Sequence, residues 1–326
     1  MTTLCIETER WPLATPLRDG GGVLRELEVA VVTLRDADHV GRGEAAGVHY
    51  HGEDARSMVE QIERVRASIE RGLTRPDLLA LLPAGGARNA VDCALWELEA
   101  SREQRAVWQL AALPAPRPLL TTYTIGADSP DAMAAQSRAF CAARALKLKL
   151  LGEPLDIERV RAVRAARPES WLCVDANQSF TPGFLNTILP ALLDARVELL
   201  EQPFPAGSED WLDELHCPIR IAADESAQDV RDLPRLRGRF ACVNIKLDKC
   251  GGLTAALDMA RRARELELEI MVGCMAGTTL AMAPAFLLGQ LATVVDLDGP
   301  VLLREDRAPP AVYEQGHIWC PQSAWG

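Results

Sequence analysis

A chain of 326 residues, 48% apolar and 25% charged, is long enough for one barrel-sized domain or for two domains around a substantial core. A formal net charge of −11 leaves no general basic face for nucleic acid or an anionic membrane, so neither is an expected partner. Nine cysteines, scattered from Cys5 to Cys320 with no CxxC pair and no Cys/His cluster, read as reduced thiols rather than as a disulfide frame or zinc site.

The opening residues, MTTLCIETERWPL, carry acidic side chains and no apolar run of signal-peptide length, and no window reaches the length of a membrane span; a cytoplasmic protein is expected. Residues 27–36, LEVAVVTLRD, predict a strand, and 41–47, GRGEAAG, a glycine-punctuated turn. Apolar positions then recur at three and four residues through 54–73 and 86–103, which predicts two helices. The proline-rich LPAPRPLL at 113–120 reads as a linker, so residues 1–118 form a small α+β domain.

From residue 119 the rhythm changes. Short apolar segments at 119–126, 145–150, 170–177, 197–203, 219–226, 240–248, 269–275 and 292–300 alternate with amphipathic stretches such as 156–168 and 254–268. Eight strands separated by helices predict a closed parallel (β/α) barrel over 119–300. An open doubly wound sheet is the alternative, but no glycine-rich phosphate fingerprint follows the first strand.

Charged residues mark the ends of these strands: Lys147 and Lys149 on the second, Asp175 on the third, Glu201 on the fourth, Asp224 on the fifth, Lys246 on the sixth, Asp296 and Asp298 on the eighth. From Lys149 to Lys246 they follow one another at intervals of about 22 to 26 residues, one β/α unit each. They therefore meet at the carboxyl-terminal face, where barrel enzymes carry their active sites. Asp175, Glu201 and Asp224 could cap helices or pair with arginines. Three together, however, would repel unless a divalent cation joined them, and an all-oxygen set suits Mg²⁺ or Mn²⁺ rather than zinc. Lys149 and Lys246, half a barrel turn apart, could move a proton on opposite faces of a metal-bound ligand. Burial near other cations would lower their pKa toward neutrality. Lys147 shares the face of Lys149 and would add positive charge beside the substrate carboxylate.

The motifs KLK at 147–149, DAN at 175–177, EQP at 201–203, DES at 224–226 and NIKLDKCGG at 244–252, with GRGEAA and ARNAVDCALWELEA upstream, resemble the signature set of the enolase superfamily. The similarity is to its muconate-lactonizing-enzyme subgroup, and most of all to dipeptide epimerases. It implies a (β/α)7β-type modified TIM barrel with an α+β capping domain, and a segment 301–326 that returns to the cap. It also implies Asp175, Glu201 and Asp224 as ligands of one Mg²⁺ per subunit, Lys149 and Lys246 as the acid/base pair, and Asn177, Glu225 and Lys249 as their support. Asp296 and Asp298 match a DxD that seats a dipeptide's α-ammonium, while Thr124, Cys274 and Met275 match positions bordering the substrate.

The implied reaction is inversion of the C-terminal residue's α-carbon by 1,1-proton transfer through a metal-stabilised ene-diolate, in a homo-oligomeric enzyme of peptidoglycan-fragment metabolism. An N-acylamino-acid racemase, acting for instance on N-acetyl-glutamate, is the alternative; a muconate cycloisomerase, an o-succinylbenzoate synthase or a non-catalytic binding relative is further off. Two departures bear on specificity. Where epimerases of L-Ala-D/L-Glu have an arginine in the cap loop near residue 20, this chain has Gly22 flanked by Arg18 and Arg25, and Gly277 replaces a larger residue. A small second residue, as in Ala-Ala, is then as compatible as glutamate.

Overall fold

The computed structural model describes residues 2–326. The cap begins with three antiparallel strands, β1 (Thr3–Asp19), β2 (Gly22–Asp36) and β3 (His39–Ala45). Pairing of β1 with β2 shifts register between Pro12 and Leu17, where a proline cannot donate to the ladder, and resumes at Leu17↔Leu24 toward the hairpin tip. Helix α1 (Ala55–Glu70) starts at a capping box of Asp54 and Ser57, and α2 (Arg75–Leu81) at one of Thr74 and Asp77. Helix α3 (Gly86–Glu103) is buried along nearly its whole length, and α4 (Val107–Leu110) follows.

Helix α3 lies directly on β3. A Cβ at Gly41 would fall 2.0 Å from Ala94 O, and one at Gly43 2.0 Å from Ala90 O. Only hydrogen fits at either place, because the obstructing atoms are backbone and cannot rotate away. Gly43→Ala is expected to lower stability by about 3 kcal/mol or more, at the upper end for overpacking, read as a shift of the denaturant midpoint.

The barrel strands run β5 (Thr122–Ile125), β6 (Ala145–Lys149), β7 (Trp171–Asp175), β8 (Val197–Glu201), β9 (Arg220–Ala223), β10 (Cys242–Ile245), β11 (Glu269–Gly273) and β12 (Val294–Asp296), each paired in parallel with the next. Between them lie α5 (Pro130–Ala139), α6 (Asp156–Ala166), α7 (Pro182–Asp194), α8 (Leu233–Leu236), α9 (Leu247–Cys250), α10 (Leu253–Glu265) and α11 (Thr279–Gly289), with α12 (Gly299–Leu302) after β12. The expected barrel and α+β cap are both present. The predicted helix after β8 is only a 3₁₀ turn at Glu209–Leu212, in a stretch broken by Pro205, Gly207 and Pro218.

The predicted first strand divides. Leu119–Leu120, β4, pairs with a C-terminal hairpin, β13 (Val312–Glu314) and β14 (His317–Trp319), and Thr122–Ile125 alone joins the barrel. No backbone ladder links β12 to β5. The seam is spanned by side chains: Thr121 Oγ1 accepts Leu297 N at 2.9 Å, Asp298 Oδ2 accepts Thr124 N at 2.5 Å, and Thr122 Oγ1 donates to Asp296 Oδ1. Inside the barrel, Cys173, Leu199, Ala222, Cys242, Met271 and Val294 form the apolar layer beneath the mouth.

Cap and barrel are tied together near the end of β10. Asp248 accepts Ala46 N and Gly47 N, each at 3.0 Å, and Arg88 donates to Cys250 O at 2.5 Å and Gly251 O at 3.1 Å. The last residues also touch the cap: Trp325 Nε1 donates to Arg42 O, and Arg42 Nη2 to Ala324 O. Among the described residues no helix is long and apolar enough to cross a membrane.

Candidate active site

Alternation of side chains along β6 turns Lys147 and Lys149 to the same, inner side, as the sequence predicts. Register then aligns Lys149 with Asp175 on β7, and Asp175 with Glu201 on β8. Asp224 stands one residue beyond β9, Lys246 one beyond β10, Asp296 ends β12, and Asp298 precedes α12. All lie at the carboxyl ends of the strands, and all are at least nine-tenths buried.

Their contacts are ionic. Lys147 Nζ lies 2.8 Å from Asp296 Oδ2, 2.8 Å from Glu201 Oε2 and 3.1 Å from Asp175 Oδ2. Lys149 Nζ meets Asp175 Oδ2 at 2.7 Å and Asn177 Oδ1 at 3.0 Å. Lys246 Nζ meets Asp224 Oδ2 at 2.7 Å, while Lys249 Nζ takes Asp224 Oδ1 at 2.5 Å and Asn244 O at 2.9 Å. Asn244 Nδ2 donates to Glu201 Oε1 at 2.8 Å.

These pairings reverse the expected ionisation of the two opposed lysines. Burial works against their charge, but Asp175 beside Lys149 and Asp224 beside Lys246 outweigh it and hold both above the usual lysine range. Lys147 is raised by Asp296, Glu201 and Asp175 against the same burial cost. Only Lys249 goes down, through burial. Burial, reinforced by the charge of Asp175, pushes Glu201 up to about 7, whereas Asp175 itself, despite burial, is drawn down by Lys149 and Lys147.

The donor set for a cation consists of carboxylate oxygens, the ligands that Mg²⁺ takes. Among the described residues no three acidic, histidine or cysteine side chains already converge on a single point, because lysines lie between them. Glu201 Oε2 is buried and has no aligned hydrogen bond, its contact with Lys147 being an ion pair outside hydrogen-bond geometry. A buried carboxylate oxygen of this kind, with Asp175 and Asp224 on the flanking strands, fits a divalent cation.

The other expected site residues are placed less uniformly. Asp296 has both oxygens engaged, by Thr122 and Lys147, whereas Asp298 takes Thr124 and forms no ion pair among the described residues. Burial, with the charge of Asp296, pushes Asp298 up to about 7. Cys274 is half-buried with Sγ 3.4 Å from Asp296 O, and Met275 is half-buried beside it. Gly277 faces packed structure: a Cβ there would come within 2.8 Å of Ala281 Cβ and 3.1 Å of Met282 Cε. Its small size is thus a demand of α11 packing. Gly22 sits at a positive φ of 136° in open space.

Sequence reasoning passed over Tyr50 and Gln202. Tyr50, in a 3₁₀ turn of the cap at His49–His51, accepts from Gln228 Nε2 at 3.1 Å and is close enough to Asp224 and Lys246 for their charges to act on its hydroxyl. Gln202, at φ 36°, accepts Asp224 N and Ser226 N through Oε1 and donates to Phe204 O and Ser226 Oγ, tying the end of β8 to the end of β9. Its place after Glu201 was visible, but nothing in the local pattern told a clamp from a turn residue.

Two family descriptions match almost the whole chain. Residues 1–111 match the mandelate racemase / muconate lactonizing enzyme N-terminal domain, and residues 132–326 the enolase C-terminal domain-like family. The chain belongs to the enolase superfamily.

Within that superfamily, the L-Ala-D/L-Glu epimerase of Escherichia coli (strain K12) is 40% identical over 319 residues, covering 98% of this chain and 99% of the relative. An N-acetyl-D-glutamate racemase of Pseudoalteromonas sp. is 38% identical, covering 91% and 94%. Among solved structures, an enolase family member from Agrobacterium tumefaciens with bound sodium and L-Ala-L-Glu superposes at a TM-score of 0.97, with 40% identity and full coverage of both chains. The dipeptide epimerase of Methylococcus capsulatus, complexed with Mg and L-Arg-D-Lys, superposes at 0.91 with 30% identity over 98% of this chain and 96% of its own.

Proposed function

We propose that this superfamily member is a Mg²⁺-dependent dipeptide epimerase that inverts the α-carbon of the C-terminal residue. The observation that carries the reading is the pair Lys149 and Lys246, at the end of β6 and just past β10, on opposite flanks of the carboxylates Asp175, Glu201 and Asp224.

When held by those three carboxylates, Mg²⁺ supplies a fixed positive charge to the substrate carboxylate. Lys149 Nζ takes the α-proton from one face, and the C–H electron pair moves into the carboxylate, which Lys147 flanks as an ammonium. Lys246 Nζ delivers a proton to the opposite face; the other epimer reacts with the two lysines exchanged. Lys149 can accept a proton only as the charge of Asp175 is offset, since that carboxylate otherwise keeps it protonated. Tyr50, near Asp224 and Lys246, and the β1–β2 hairpin, against Asn177, bring the cap to the edge of the mouth.

Asp298, buried and without an ion-pair partner among the described residues, is the group available for the dipeptide's α-ammonium; Asp296 already serves Lys147. Asp298→Asn should lower kcat/KM for a dipeptide by about 10- to 100-fold, the worth of one charge-assisted contact, and leave turnover of an N-acetyl amino acid nearly unchanged. The N-acetyl-D-glutamate racemase likeness keeps N-acylamino-acid racemisation as the second reading. Proton NMR in D₂O with Mg²⁺ separates the two: loss of the C-terminal α-proton with a diastereomer appearing, for dipeptides only, supports the epimerase. Exchange confined to N-acetyl-glutamate moves the function to the racemase. The same reading places a homo-oligomeric enzyme in the cytoplasm, acting on peptidoglycan fragments; its free cysteines suit a reducing compartment.

A further inference from the structure

Among the described residues, Glu201 is the one of the three carboxylates that takes a hydrogen bond from a neutral side chain. Asn244 Nδ2 donates to its Oε1 at 2.8 Å, and both residues are completely buried. The bond runs from β10 to β8 across β9. Register aligns Ala222 of β9 with Glu201 on one side and with Cys242 on the other, so the intervening strand carries only a methyl group at that level. Asn244, two residues past Cys242, faces the same side of its strand and passes its amide over β9.

That amide lies flat on Gly273 of β11. A Cβ added at Gly273 would fall 2.6 Å from Asn244 Oδ1, 2.9 Å from Nδ2 and 3.2 Å from Cγ, which are its three nearest atoms. Gly273 is not in the left-handed region, so what the glycine supplies is room. Asn244 Oδ1 has no hydrogen-bond partner. A side chain present only to fill the barrel would be apolar, because a buried amide oxygen left unpaired is costly. Turning the amide round would set Oδ1 against Glu201 Oε1, two acceptors face to face. The Nδ2 contact is therefore what the amide is there to make.

The backbone at the same residue is tied to a second carboxylate. Lys249 Nζ donates to Asn244 O at 2.9 Å and to Asp224 Oδ1 at 2.5 Å. The end of β10 thus grips Glu201 through the Asn244 side chain and Asp224 through Lys249.

We propose that Asn244 is a positioning residue for the cation site: its amide, seated on Gly273, pins Glu201 Oε1 and so presents Oε2 to the metal ion. Oε2 is the oxygen with no hydrogen bond of its own, and pinning its partner stops the carboxylate from rotating. Gly273 acts one step further back, as the surface on which the amide rests. The inference rests on the reading of Asp175, Glu201 and Asp224 as the Mg²⁺ ligands.

The test is calorimetric titration of Mg²⁺ into the full chain, freed of metal with EDTA and dialysed, for the wild type, Asn244→Ala, Gly273→Ala and the double variant. Asn244→Ala is expected to weaken Mg²⁺ about 10- to 100-fold, the worth of a partner that orients a ligand. Gly273→Ala, which leaves the amide's chemistry intact but takes its seat, should weaken it by a similar factor. In the Asn244→Ala background Gly273→Ala should cost nothing further, because the atoms it displaces are gone. Denaturant unfolding in EDTA records any loss of folding separately. Epimerisation should need more Mg²⁺ for half its maximal rate, with kcat recovered at saturation, a split that general loosening of the barrel would not give. Wild-type Mg²⁺ affinity in Asn244→Ala, or penalties that multiply in the double variant, overturns the assignment and leaves the carboxylate site standing. No Mg²⁺ binding by the wild type overturns both. Should Asn244→Ala fail to fold, Gly273→Ala alone decides, and unchanged affinity there overturns the proposal.

Discussion

Lys149→Met should abolish α-proton exchange from one epimer of a dipeptide substrate, and Lys246→Met from the other, each by at least about 10³-fold, within the range for removal of a positioned acid or base. Methionine fills nearly the same volume without a basic nitrogen, so the loss should fall on kcat and not on folding. The surroundings support this, because Asp175 keeps Lys147 at 3.1 Å when Lys149 is gone, and Asp224 keeps Lys249 at 2.5 Å when Lys246 is gone. Each single variant should also still wash out the proton that its remaining lysine can reach, without inverting the carbon. Proton NMR in D₂O, starting separately from the L,L and L,D dipeptides, reads this directly. If both variants lose exchange equally from both epimers, the opposed-lysine assignment is wrong.

Asp224→Asn carries the second large effect, and it falls on stability as well as on the cation. Asp224 is buried and holds the ammoniums of both Lys246 and Lys249. Neutralising it leaves two buried positive charges without their shared partner, a change that costs about 3–5 kcal/mol in comparable buried pairs. Asp213→Asn, which removes an exposed pair with Arg239, should by contrast change stability by less than about 1 kcal/mol. Denaturant unfolding in EDTA compares the two, and a Mg²⁺ titration should show affinity falling at least about 100-fold in Asp224→Asn alone, since even a ligand's supporting partners are worth 10- to 100-fold. Equal stability of the two variants would remove Asp224 from its structural role.

The pH dependence of the cation-free protein follows from the same charges. Lys246 and Lys249 hold Asp224 below the usual carboxylate range, so its contribution is present at neutral pH and is lost as pH falls through and below that range. Glu201, pushed up to about 7 by burial and Asp175, acts in the opposite sense: its contribution is complete in acid and is lost as pH rises through about 7.

Much of the fold was legible because it rests on local regularities. Short apolar runs mark β6 to β12, and the β/α repeat carries Lys149, Asp175, Glu201, Asp224 and Lys246 to successive strand ends, whatever the rest of the chain does. The helix predicted after β8 failed on equally local grounds, the prolines and glycine of that stretch outweighing its apolar spacing.

Ionisation was not legible. Lys149 was expected to lose its proton easily, yet Asp175, 26 residues away in sequence, stands 2.7 Å from its nitrogen and keeps it charged. The roles of Asp296 and Asp298 turned on contacts across 174 residues, where Thr122 and Thr124 make them part of the barrel seam as well as of the mouth. Gly277 looked like a specificity position until α11 was seen packed against it. The amino-acid sequence by itself determined the strand and helix pattern, the barrel and its cap, and which charged residues reach the carboxyl-terminal face, because those depend on neighbours along the chain. Tertiary structure alone decided which lysine faces which carboxylate and how the seam closes, because Coulomb and hydrogen-bond energies depend on distances in space that separation along the chain does not set.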